Sequence, residues 1–237
     1  MHTTAHRTSD RERYYTVKRA IDIIVAGGLL LLLWPLMLLI AVAVKLDSPG
    51  PALFAQDRIT VKPRRNQYGE LVWEQRIFRF YKFRSMRHKA DESLHRAYIQ
   101  ATIKNDQAEL QQLQGGDTSV KKLTRDPRIT RLGAFLRKTS LDELPQLINV
   151  IRGDISLVGP RPAIAYELEL YKPWYAQRLE AIPGITGWWQ VTRRSAASFE
   201  EMIELDIWYV ERQSLWLDLW ILFTTPIAVI FKRTSAG

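Results

Sequence analysis

The chain has 237 residues, 46% of them hydrophobic, which is enough for one large domain or for one domain with an appendage. It has no cysteine, which excludes a disulfide framework and a thiolate metal site, and its four histidines (His2, His6, His88, His95) lack zinc-site spacing. The net charge of +9 is concentrated, with ten Lys/Arg against two acids from Arg58 to Lys89 and seven against one from Lys121 to Lys138. Such clusters imply an anionic partner: nucleic acid, an anionic membrane or phosphorylated small molecules.

Residues 1–19 read as a basic tail. The run IIVAGGLLLLLWPLMLLIAVAV, Ile23 to Val44, follows it with 22 uncharged residues between Asp22 and Lys45. A helix needs about 20 residues to cross the hydrocarbon core, so residues 20–47 are expected to form a membrane helix. Ala41-Val42-Ala43 resembles a signal-peptidase site, but the apolar region of a signal peptide has only about 7–15 residues, so no cleavage is expected. Pro35 in mid-run removes the bond to the carbonyl of Leu31 and should kink the helix. Both flanks are basic, with Arg11, Arg13, Lys18 and Arg19 before and Lys45, Arg58 and Lys62 after, so charge gives no direction across the bilayer. A re-entrant hairpin satisfies both observations; a kinked spanning helix is the alternative.

Ser48-Pro49-Gly50-Pro51 ends this segment. ALFAQDRI and RIFRFYKFRS then alternate as strands of a small hairpin with a turn at Tyr68-Gly69. In the second strand Lys82 and Arg84 share a face that Arg79 cannot. A polar helix is expected from 90 to 113, stopped by Gly115-Gly116, and further helices at about 141–151, 164–180 and 198–212. At the end, Leu219 to Phe231 offers thirteen apolar or hydroxyl residues, too few to span, with Trp208, Trp216 and Trp220 nearby. It reads as an interfacial helix, with core packing as the alternative. There is no internal repeat, Walker loop or dinucleotide-binding glycine pattern.

The stretch RKTSLDELPQLINVIRGDISLVGPRP holds adjacent carboxylates, Asp142 and Glu143, just after Arg137 and Lys138. Ser140-x-x-Glu143 before an apolar run fits a capping box, and Pro145 could instead open the helix. The third reading is chemistry at the acidic pair.

With these landmarks placed, the chain resembles the bacterial sugar transferases, monotopic phosphoglycosyl transferases that act on polyprenyl phosphates. The motifs are KRAIDI, YKFRSM, TRDPRITRLGAFLRKTSLDELPQLINVIRGDISLVGPRP, PGITGWWQV and ELDIWYV, in order from about Lys18 to Phe231. The resemblance implies a mostly helical α+β fold, monotopic in the membrane. It would combine the re-entrant Pro-kinked helix, the β-hairpin and interfacial amphipathic helices, with residues 48–237 as the catalytic domain. It implies transfer of a sugar 1-phosphate from a UDP-sugar to polyprenyl phosphate, with UMP released, at the cytoplasmic face of the bacterial inner membrane. Nucleic acid is then not a partner, and a homodimer is compatible with the reading.

Residue by residue, the family's nucleophile falls on Asp142 and its acidic partner on Glu143. Lys82, Arg137 and Arg161 match phosphate-directed basic residues, Asp206 an acidic site residue, and Gln190 the stretch that contacts the nucleotide-sugar. Mg²⁺, which takes one or two carboxylates plus phosphate oxygens, would be held by Asp142 and Glu143. A carboxylate can attack phosphorus and divide the transfer into two steps, while fixed cations stabilise the phosphates. Against the family pattern, Trp34 replaces the serine often found before the proline, and His88 to Lys122 is an insertion. The larger members carry further N-terminal membrane helices and another domain, and neither is read in these residues. A membrane-anchored binder of nucleic acid or anionic lipid, and a metal-dependent phosphatase, are the competing functions.

Overall fold

The computed structural model of the chain describes residues 3–68, 71–88, 93–104, 106–113, 126, 128–193 and 198–231. Helix α1 runs from Thr3 to Asp47 without a break, 45 residues with Pro35 inside. It starts well before residue 20, so the segment expected as a tail is helical from Thr3. Its outer surface carries Ile24, Leu31, Leu32, Trp34, Leu39 and Leu46, all exposed. Its inner surface is tied to the rest of the protein on both sides of Pro35. Before the proline, the Asp22 carboxylate accepts from the Ser156 hydroxyl and the Leu157 N–H at 3.0 and 2.9 Å. Lys18 pairs with buried Asp218 at 2.6 Å. After the proline, Arg84 donates to the carbonyls of Val44 and Ser48, placing a cation on the C-terminus of the helix.

The β-hairpin pairs β1 (Leu53–Arg65) with β2 (Leu71–Phe83), antiparallel, from Leu53 opposite Phe83 to Arg65 opposite Leu71. It is longer than the alternating runs suggest, and the expected turn at Tyr68-Gly69 lies partly outside the described residues. Strand alternation puts Phe78 and Phe80 into the core and Lys82 in the same row, while Ile77 and Arg79 face outwards. The hairpin's exposed cations are compensated locally, Arg79 by Asp57, Arg64 and Arg76 by Glu74, and Arg65 by Glu12. The density of basic residues there is therefore not an open positive patch.

Beyond the hairpin, the polar helix expected over 90–113 is two helices, α2 (Ser93–Lys104) and α3 (Gln107–Leu113). Helix α4 (Arg131–Thr139), absent from the sequence reading, opens on Thr130, whose hydroxyl accepts from the Gly133 N–H. A Cβ at Gly133 would lie 1.9 Å from the Ser85 carbonyl oxygen, so only glycine lets this helix lie against the strand end. The helix expected at 141–151 is instead a 3-10 turn, Leu141–Glu143, followed by α5 (Gln146–Arg152).

Two short strands, β3 (Ser156–Val158) and β4 (Gly184–Thr186), form a parallel pair that the sequence reading also missed. Three residues each leave no periodicity to detect. Between them lie α6 (Ala165–Leu168) and a 3-10 segment, Pro173–Leu179, in place of one helix over 164–180. Pro173 has no N–H and disfavours helical geometry at Lys172, which is extended at φ −64° and ψ 150°.

The fold closes with α7 (Trp188–Thr192), α8 (Phe199–Arg212) and α9 (Leu215–Phe231). Helix α8 starts as expected, with Ser198 and Glu201 in a reciprocal capping box. Core packing accounts for one side of α9, where Ile221 and Ala228 are buried, while Trp216, Phe223 and Ile227 are exposed. The chain is thus a mostly helical α+β protein with a long apolar N-terminal helix and a small antiparallel hairpin.

Candidate active site

The acidic pair sits where two helices meet. Helix α4 ends at Ser140, whose backbone is left-handed at φ 55° and whose N–H reaches the carbonyls of Arg137 and Leu136. Ser140 is therefore the C-cap of α4. Its side chain makes no capping hydrogen bond into the turn that follows, so the capping box with Glu143 does not form. Pro145, by contrast, stands at the start of α5, as the alternative reading had it.

This sharp reversal turns adjacent residues in different directions. Asp142 is buried at 6% exposure, whereas the Glu143 side chain is 36% exposed. Lys82 stands between them, its Nζ 2.7 Å from Glu143 Oε1 and 3.8 Å from Asp142 Oδ2. The strand end bearing Lys82 is held to α5 by Asn149. The Asn149 amide accepts from the Tyr81 N–H at 3.1 Å and donates to the Arg79 carbonyl at 2.7 Å. Asn149 thus ties the strand end to α5, next to the turn that carries the carboxylates.

Burial pushes the Asp142 carboxyl above its usual range; Lys82 and Arg137 pull it down, and Glu143 pushes it further up. Arg137, in the last turn of α4, is thereby placed in electrostatic reach of Asp142. Behind Lys82 the Phe80 ring carries two cations, Lys82 Nζ at 5.5 Å and the Arg58 guanidinium at 5.2 Å. Arg58 is buried, donates to the Pro162 carbonyl at 2.7 Å and has its pKa lowered to about 10. Burial and neighbouring Arg161 lower it against the opposing pull of Glu167, Tyr166 and Glu143. Arg58 thus links the acidic pair to the Gly159-Pro160-Arg161-Pro162 turn.

That turn is held from both ends. The Gly159 N–H donates to the Thr186 carbonyl, and the Gly184 N–H to the Pro160 carbonyl, each at 2.9 Å. A Cβ at Gly184 would come within 2.1 Å of the Gly159 nitrogen, so the two backbones meet where no side chain fits. The Arg161 guanidinium lies 4.0 Å from Glu167, which is fully buried and accepts from the Ile164 N–H. Below it, Arg178 donates to the Arg161 carbonyl at 2.9 Å and to Asp206 at 2.5 Å.

Asp206 is thus fully buried and paired with an equally buried arginine. It lies underneath the turn rather than on the open side of the site. Burial pushes its carboxyl up to about 6 against the pull of Arg178. Gln190, on α7, donates to the Ile185 carbonyl at 3.1 Å and so braces the β4 loop; Thr186 in turn bonds Thr225 of α9. The structure brings Asp142, Glu143 and Lys82 together, with Arg137 in electrostatic reach; Arg161 stands on the turn that Arg58 joins to them, with Asp206 beneath and Gln190 on the neighbouring loop. Arg58, Phe80, Glu167 and Arg178 were missed. The alternation of β2 could have flagged Phe80 as the neighbour of Lys82, whereas nothing local marks Arg58 or Arg178.

The donor set suits Mg²⁺. An ammonium group already sits between two adjacent carboxylates, and both offer hard oxygen ligands. Among the described residues no group of three or more His, Cys, Asp or Glu could form a protein-only cage. An ion here would complete its shell with water and phosphate oxygens.

Comparison with known proteins fits this geometry. The Salmonella typhimurium protein named undecaprenyl-phosphate galactose phosphotransferase is 38% identical over 227 residues, covering 93% of this chain and 41% of that protein. The Xanthomonas campestris protein named UDP-glucose:undecaprenyl-phosphate glucose-1-phosphate transferase is 40% identical, covering 95% of this chain and 41% of its own length. The exopolysaccharide production protein ExoY of Rhizobium meliloti is 40% identical, with 92% and 87% covered. The chain thus spans about two fifths of the first two relatives and most of the third. The family profile described as bacterial sugar transferase matches residues 13–232, and the chain belongs to that family.

Proposed function

We propose that the protein transfers a sugar 1-phosphate from a UDP-sugar to a polyprenyl phosphate, releasing UMP. The observation that carries this reading is the Asp142–Glu143 pair, one member buried and the other open, held against Lys82 with Arg137 and Arg161 nearby. The names of the relatives support undecaprenyl phosphate as the acceptor and polysaccharide synthesis as the setting.

In the first step an Asp142 carboxylate oxygen attacks the β-phosphorus, a P–O bond forms, and the bond to the α-phosphate oxygen breaks. UMP leaves with the electron pair. In the second step the phosphate oxygen of the lipid attacks the same phosphorus and Asp142 is released as carboxylate. Lys82 favours the ionised form of Asp142 against the effect of burial and screens its approach to an anionic group. Arg161, fixed by two prolines and by Glu167, forks onto non-bridging oxygens with little loss of freedom. Mg²⁺ bound by Asp142 and Glu143 would neutralise phosphate charge.

The attachment of both arms of α1 to the same body supports a monotopic placement. The hydrophobic outer faces of α1 and α9 would then sit in the cytoplasmic leaflet of the inner membrane and the acidic pair at its surface.

The test is the order of events. Protein, Mg²⁺ and the correct UDP-sugar without lipid should release UMP in a burst of about one per site. A label on the β-phosphate should stay on the protein, leave on addition of polyprenyl phosphate, and never appear on Asp142→Asn. UMP release that requires lipid, with no trapped label, would refute the covalent step. Continuous release of free sugar phosphate would make the protein a phosphatase.

A further inference from the structure

Several exposed arginines in this protein have a carboxylate beside them; Arg96, like Arg152, has an aromatic ring. It stands on α2, in the inserted segment, with its guanidinium 5.0 Å from the ring centroid of Tyr166 and no carboxylate partner among the described residues. Helix α2 is not a loose appendage. Its Ile99, Ala101 and Ile103 are buried, and it packs against α6 and α8.

Tyr166 occupies the residue before Glu167, the buried carboxylate that faces Arg161. Its hydroxyl is enclosed without a hydrogen-bond partner, and its nearest charges are Glu167, Arg58, Arg161 and Arg96. The inserted segment therefore adds a positioned cation, over Tyr166, beside the row that runs from Lys82 across Phe80 to Arg58 and Arg161.

We propose that Arg96, stacked on Tyr166, binds the α-phosphate of the nucleotide donor, the phosphate that leaves with UMP. This rests on the transferase reading above and extends it. A nucleoside diphosphate sugar has two phosphates, and only the β-phosphorus can face Asp142. Lys82 and Arg161 serve that centre, so the α-phosphate needs a cation further along the row. A guanidinium lying on a ring keeps its donor edge free for two phosphate oxygens, and the ring fixes its plane beforehand.

The test uses the full chain in phospholipid nanodiscs. UMP and UDP binding is followed by titration calorimetry, with KM measured separately for UDP-sugar and for polyprenyl phosphate. Arg96→Ala should weaken UMP and UDP binding and raise the KM for UDP-sugar by at least about tenfold, the scale of one charge-assisted hydrogen bond. The KM for polyprenyl phosphate should not change. Tyr166→Ala should reproduce part of the loss and add little in the double variant, while Tyr166→Phe should bind as the parent does.

Unchanged UMP affinity in Arg96→Ala would overturn the proposal, as would a rise confined to the KM for polyprenyl phosphate, which would assign the cation to the acceptor. A new preference among UDP-sugars with UMP binding intact would also overturn it, since Arg96 would then face the sugar. A parent protein that binds UMP but transfers nothing would refute the transferase reading separately and leave the binding comparison valid.

Discussion

The arrangement around Arg161 shows how one partly exposed candidate site residue rests on several buried ones. Arg161 itself is partly open, but its carbonyl is held by Arg178, which is paired with Asp206, and these two are fully buried. Removing one member of a buried ion pair leaves the other charge without a partner, which costs about 3–5 kcal/mol. We predict that Asp206→Asn loses stability on that scale and also loses a pH dependence. The Asp206 pKa is raised to about 6 in the folded protein, against about 3.9 in an unfolded chain. Between these values the native state holds the proton more tightly, so this group's contribution to stability declines as pH rises from about 4 to 6. Denaturant unfolding at pH 4, 5, 6 and 7 should show that decline in the parent and a flatter profile in Asp206→Asn. An unchanged profile would mean that Arg178 keeps Asp206 ionised throughout.

At the scale of elements, the site depends on the close approach of β3 and β4, which carries the Gly-Pro-Arg-Pro turn. A methyl group at Gly184 would meet the Gly159 nitrogen and the Val158 carbonyl carbon at 2.1 and 2.5 Å, so the strands would have to separate. We predict that Gly184→Ala is destabilised by about 1–3 kcal/mol, as overpacked sites are, and that kcat falls more than KM rises because Arg161 moves. Equal stability and activity would show that the turn is held by Arg178 alone. The motifs on either side of this contact were legible, as were the hairpin, α8 and the acidic pair, because each has periodicity, a cap or an unusual charge pattern. The contact itself was not, since it joins residues 159 and 184 through backbone atoms. The same limit hid Arg58 and Arg178, whose roles come from packing against distant segments. Ser140 was misread for a different reason: serine suits an N-cap, but here it ends a helix in the left-handed conformation. The basic clusters were misleading in part, since Asp57 and Glu74 on the hairpin itself and Glu12 on α1 pair with its exposed arginines.

For the whole molecule, the decisive relation is between α1 and the body it rests on. Asp22 and Val44 bracket the apolar run, and a straight helix of that length would separate them by about 33 Å, more than the ~30 Å hydrocarbon core. Both are nevertheless bonded to one compact unit, Asp22 to Leu157 and Val44 to Arg84. The unit cannot be on two sides of a membrane, and the contacts involved are buried polar ones that would be costly to break. The apolar outer face of α1, Trp34 and Leu39 included, is exposed. We predict that the two ends of the run lie on the same side. The chain has no cysteine, so Arg13→Cys and Gln67→Cys, both at exposed positions, each give a single labelling site. In sealed right-side-out and inverted vesicles, an impermeant maleimide should reach both sites from the cytoplasmic side and neither from the other. Opposite accessibility would mean that α1 spans the bilayer. The bonds from Asp22 or from Arg84 could not then both exist in the membrane.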